Sequence, residues 1–113
     1  MIKIYHNPRC SKSRQGLSIL EESGQPYEVR KYLEDVPTAE ELREVLSLLN
    51  ITADQLVRKN EAVWKEKYRS RLLSEEDIIE AMVHHPKLIE RPIVVKGNKA
   101  VIGRPPEAIT DII

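Results

Sequence analysis

The chain has 113 residues, enough for one domain with a single core but not for two. Its 18 basic and 18 acidic side chains cancel, which leaves no positive excess for binding nucleic acid through phosphates. No apolar run approaches the ~20 residues that span a bilayer, and the opening Met1-Ile2-Lys3-Ile4-Tyr5, met at once by His6-Asn7-Pro8, is unlike a secretory leader.

In chain order, Ile2–Tyr5 predicts a short strand that ends at the Asn7-Pro8 turn signal. Ser11 to about Ser23 predicts a helix with Leu17 and Leu20 on one face and Gly24 just past its end, although Gly16 is a poor helix former. The alternation Tyr27-Glu28-Val29-Arg30-Lys31-Tyr32 predicts a second strand. Together these form a right-handed βαβ unit with parallel strands.

Thr38 and Glu41 have capping-box spacing, and Leu42, Val45, Leu46 and Leu49 follow at helical intervals to about Asn50. A short helix is expected from Ile51-Thr52-Ala53-Asp54 through Leu56 and Val57. The charged stretch Asn60 to Arg71 is only weakly periodic and reads as irregular or partly helical surface. Ser74-Glu75-Glu76-Asp77 caps another helix, with Ile78, Ile79, Met82 and Val83 as its apolar face up to His84-His85, and Pro86 beyond. Ile93-Val94-Val95 and Ala100-Val101-Ile102, split by Gly97-Asn98, predict a tight hairpin. Pro105-Pro106-Glu107 starts a last short helix with Ala108, Ile109 and Ile112 inward.

The order β-α-β, helices, β-β-α predicts an α/β (α+β) thioredoxin-like fold. It has a mixed four-stranded sheet in a single domain over 1–113, with a helical insert at about 38–90. Such folds place a cis proline before the third strand, facing the active cysteine, and here that residue is Pro92.

Cys10 is the single cysteine, so the chain has no internal disulfide framework, and a reducing cytoplasm suits it. A lone cysteine is often only a small buried hydrophobe. Here it starts a helix, where free N–H groups and the helix dipole favour the thiolate. Arg9, Lys12 and Arg14 beside it should lower its pKa further. The Ser13 hydroxyl, one turn along, can hydrogen-bond the sulfur. His6 either stabilises the thiolate or relays a proton, or simply caps the loop. Arg58, Arg91 and Arg104 stand out among the arginines, because guanidinium groups near a thiolate would hold a tetrahedral oxyanion. One cysteine and scattered histidines give no metal-ligand spacing.

Ile4-Tyr5-His6-Asn7-Pro8-x-Cys10, Tyr32-Leu33-Glu34, Pro37-Thr38, Arg58-Lys59-Asn60, His85-Pro86, Arg91-Pro92-Ile93-Val94-Val95 and Gly103-Arg104-Pro105 occur here in that order. With these motifs the chain resembles a short member of the ArsC family, the glutaredoxin-coupled arsenate reductases of thioredoxin-like fold. The resemblance implies that Cys10 is the nucleophile, that Arg58, Arg91 and Arg104 bind the oxyanion, and that His6 helps activate the cysteine. It implies no bound cofactor; glutathione is a co-substrate and glutaredoxin the partner that completes reduction to arsenite. Arg9 and Ser11-Lys12 depart from the family's usual pattern. A thiol oxidoreductase with another substrate therefore stays open, as does an Spx-like regulator that binds RNA polymerase. The regulator's Cys-x-x-Cys switch would need a second cysteine where Ser13 stands. A monomer in the cytoplasm is expected.

Overall fold

The computed structural model describes residues 1–113. They form two compact units: Met1–Asp35 with Arg91–Ile113, and Val36–Glu90.

The first unit holds β1 (Ile2–Tyr5), α1 (Ser11–Ser23), β2 (Tyr27–Arg30), β3 (Ile93–Lys96) and β4 (Lys99–Ile102), and ends in a 3-10 helix at Pro106–Asp111. The sheet order is β2-β1-β3-β4, with β1 parallel to β2 and antiparallel to β3, and β3 antiparallel to β4. This is the mixed four-stranded sheet of the thioredoxin-like arrangement. β1 and α1 fall where the apolar pattern put them, and Gly24 takes the left-handed conformation (φ 72°) that ends α1. Ile2, Ile4, Leu20, Val94 and Ile109 are buried together, between the sheet and the layer of α1 and the terminal 3-10 helix. Each such aliphatic side chain contributes roughly 1.5–3 kcal/mol on burial.

β2 is shorter than its alternation suggested. Beyond Arg30 the Lys31 carbonyl accepts the N–H groups of Glu34 and Asp35 at 3.0 and 2.8 Å, so a turn replaces the ladder. The last segment is likewise 3-10 rather than α-helical.

Gly16 has a packing reason that its helix propensity concealed. A methyl group there would lie 2.9 Å from Ile109 Cδ1 and 3.0 Å from Pro92 Cγ. Gly103 lies against the same two side chains, and a Cβ there would come within 2.8 Å of Pro92 Cγ and 3.1 Å of Ile109 Cδ1. Pro92 is thus held between α1 and the strand opposite it. Gly103→Ala should destabilise the protein by about 1–3 kcal/mol in urea unfolding, because a proline ring cannot rotate away. Unchanged stability would show that the two strands part freely.

The second unit contains α2 (Ala39–Leu49), α3 (Ala53–Leu56), α4 (Ala62–Lys67) and α5 (Glu75–His84), then a 3-10 turn at Pro86–Leu88. Both expected caps form. Thr38 Oγ1 accepts the Glu41 N–H while the Glu41 carboxylate accepts the Thr38 N–H, and Ser74 and Asp77 do the same. Each is worth roughly 1 kcal/mol. Leu42, Val45 and Leu46 of α2 and Leu56 of α3 are buried, and α5, whose inner residues are Ile78, Ile79, Ala81 and Met82, packs on both helices. The charged stretch is more ordered than its weak periodicity implied, since α4 buries Val63 and Trp64. Val57 leaves α3 and bridges Ile89 in extended conformation, with Arg58 N–H donating to the Leu88 carbonyl at 2.7 Å. No helix is long and apolar enough to cross a membrane.

Candidate active site

Cys10 is the N-cap of α1. The sulfur therefore faces N–H groups that have no partner inside the helix. It is 8 % exposed. Burial is the largest influence and raises the thiol pKa, but it is outweighed. The Ser13 N–H, the charge of Arg91, the Lys12 N–H and a hydrogen bond from the Arg91 side chain together bring it below the ordinary thiol value. The depression thus comes from backbone and Arg91, not from the charges of Arg9, Lys12 and Arg14 as sequence proximity suggested. Arg14 instead donates to the Pro8 carbonyl at 2.9 Å.

The alkylation rate of Cys10 by iodoacetamide should accordingly titrate with a midpoint below that of a free thiol. The reactive thiolate is present above the folded-state pKa and is lost as pH falls through it. A midpoint at or above the free-thiol value would make Cys10 a packing residue.

Arg91 and Arg104 reach the sulfur through hairpin arithmetic. The register Ile93↔Ile102 and Val94↔Val101, turning on Gly97 and Asn98, puts Gly103 opposite Pro92 and Arg104 opposite Arg91. The Gly103 N–H donates to the Pro92 carbonyl at 2.8 Å, and Arg104 Nε to the Arg91 carbonyl at 2.9 Å. From that anchor Arg104 Nη2 lies 3.8 Å from Cys10 Sγ. Both Arg91-Pro92 and Arg104-Pro105 are cis. The first isomer fits the fold expected from the sequence, whereas nothing there announced the second.

The Ser13 hydroxyl is taken up by His6 and Asn7 rather than by the sulfur. The Ser13 side chain is wholly buried, and its hydroxyl accepts the Asn7 N–H at 2.9 Å while bonding His6 Nδ1 at 2.7 Å. It is the Ser13 backbone N–H, not its hydroxyl, that meets the sulfur. Burial, then the charges of Lys31 and Arg14, push the His6 pKa below the usual histidine value, against a smaller opposing effect of the Ser13 backbone. His6 and Asn7 together hold the Ser13 hydroxyl in the first turn of α1. The bond from His6 to Ser13 is the loop-capping contact expected of it.

Arg58 belongs to the second unit, where Glu61 accepts from Nη1 at 2.9 Å and Glu90 lies 3.7 Å from Nε. The same unit carries a groove of about 510 Å³ lined by Arg43, Ser47, Asn50, Thr52, Gln55 and Glu75 among others.

The model of the ArsC family matches residues 5–112. The chain belongs to the ArsC family. Among its relatives, the protein YfgD of Escherichia coli strain K12 is 51% identical over 99% of this chain and 96% of its own length. An arsenate reductase of Neisseria meningitidis serogroup A is 42% identical, over 99% and 97%. The solved arsenate reductase of Vibrio cholerae superimposes with a TM-score of 0.95 at 44% identity, covering 99% of this chain and 97% of that one. The ArsC assignment thus covers both units, including the cysteine loop and the hairpin that carries the two arginines.

Proposed function

We propose that this protein reduces arsenate to arsenite with thiols drawn from other molecules. The observation that carries the reading is the approach of two guanidinium groups to the sulfur of the only cysteine. A thiolate flanked by paired cations suits a nucleophile whose substrate is a tetrahedral oxyanion. The names of the relatives point the same way, and by the family resemblance Arg58 is counted with Arg91 and Arg104.

In this reading the Cys10 thiolate attacks arsenic, an arsenic–sulfur bond forms, and one oxygen leaves as water. Glutathione displaces a second oxygen, again as water, leaving arsenic(V) bonded to both sulfurs. A glutaredoxin thiolate then attacks the glutathione sulfur. A disulfide forms between them, the glutathione–arsenic bond breaks, and its electron pair stays on arsenic, which becomes arsenic(III). Water finally releases arsenite and returns the Cys10 thiol. These reductants belong to a reducing cytoplasm.

The test is a coupled assay with glutathione, glutaredoxin, glutathione reductase and NADPH. NADPH oxidation that depends on added arsenate is expected; no turnover at saturating arsenate sinks the proposal.

A further inference from the structure

We infer that the groove beside the Cys10 loop is the docking place of the reducing co-substrate, a small peptide thiol carrying two carboxylates and one ammonium group. The inference rests on the thiol-dependent reading above and locates its second substrate.

The groove encloses about 280 Å³ and is lined by His6, Asn7, Pro8, Arg9, Lys31, Leu33 and Glu34, all within the first unit. Its two walls are the loop that delivers Cys10 and the turn after β2. The latter is tied by the Lys31 carbonyl to Glu34 and Asp35. Because β1 lies between β2 and β3, the groove flanks the cysteine loop on the β2 side, and Arg91 and Arg104 flank it on the β3 side. An oxyanion bound by the arginines and a thiol arriving from the groove would therefore use different sides of the same loop.

The charges choose the ligand class. Arg9, Lys31 and Glu34 are exposed, and none of them makes a salt bridge. Two open cations and one open carboxylate complement two carboxylates and one ammonium, the charge pattern of glutathione. Leu33, 39 % exposed, adds an apolar surface for the middle of such a peptide. A neutral thiol would gain nothing from these charges, so the groove should confer selectivity rather than reactivity.

The test needs no arsenate. Cys10 thiolate attacks a disulfide, so that one sulfur–sulfur bond forms, one breaks and a thiolate leaves. Rates are measured by mass spectrometry with glutathione disulfide and with the uncharged hydroxyethyl disulfide. Their ratio cancels any change in Cys10 acidity. In the double variant Arg9→Glu/Lys31→Glu the preference for glutathione disulfide should fall about tenfold, and in the wild type it should shrink as salt is added. An unchanged ratio overturns the assignment, as does an equal fall with both disulfides. If the arsenate assay fails while the ratio falls, the groove stands and the oxyanion substrate is reassigned. If the assay succeeds while the ratio holds, the groove assignment alone is lost.

Discussion

Cys10→Ser removes arsenate-dependent NADPH oxidation, a loss on the order of 10³-fold or more, and leaves the fold intact. The two halves of this expectation have separate causes. A serine hydroxyl does not ionise in the range where a thiol depressed by Arg91 and two helix N–H groups does, so the nucleophile disappears. Yet Cys10 is an N-cap, and serine is among the best N-cap residues, so the start of α1 keeps a side chain suited to its free N–H groups. The thermal midpoint of Cys10→Ser should therefore equal or exceed that of the parent. Turnover within tenfold of the parent would show that Cys10 is not the nucleophile.

Arg91→Leu should lower kcat/KM for arsenate about 10²–10³-fold, the usual cost of losing one donor to a developing oxyanion. It should also move the midpoint of Cys10 alkylation upward, since Arg91 both charges the surroundings of the sulfur and hydrogen-bonds it. Arg91→Lys separates the two effects. A lysine restores the charge, and with it much of the thiol acidity, but not the planar fork, so kcat/KM stays low. Arg104 is exposed and approaches the sulfur to 3.8 Å, whereas Arg91 both hydrogen-bonds the sulfur and acts on it through its charge. Arg91 is thus the arginine whose loss should move both measurements. If Arg91→Leu leaves both unchanged, its role in the site fails.

Much of the fold was legible because local signals agreed with one another. Ile2–Tyr5, Ser11–Ser23 and the hairpin around Gly97-Asn98 each combine an apolar period with a turn or stop residue. The capping boxes at Thr38 and Ser74 located two helix starts to the residue. The misreadings occurred where long-range packing overrode a local pattern. Tyr32 is buried, but in a turn rather than a strand, and Val57 gives up helix for a bridge to Ile89. α4 hid behind its charges because only Val63 and Trp64 face inward.

The site was partly legible. Its residues could be named, but the partner of each could not. Proximity in sequence points to Arg9 and Arg14 as the cations of the thiolate, whereas Arg91 supplies that charge from the segment just before the third strand. The pairing of Arg91 with Arg104 was within reach, since a two-residue turn at Gly97-Asn98 already fixes which residues stand opposite. His6 and Ser13 could not be resolved by pattern, because a hydroxyl one turn after a cysteine can meet the sulfur or be taken up elsewhere. Here His6 and Asn7 take it up.

The hairpin that carries Arg91 and Arg104 also limits how this chain can vary in length. Both guanidinium groups hang from one register, running from Ile93↔Ile102 to Lys96↔Lys99. Inserting or deleting a single residue within either arm would turn its side chains to the opposite face and carry one arginine away from the sulfur. Residues added at the Gly97-Asn98 tip would leave the register untouched. Gaps between this chain and functional relatives should therefore collect at that tip and be absent from the arms.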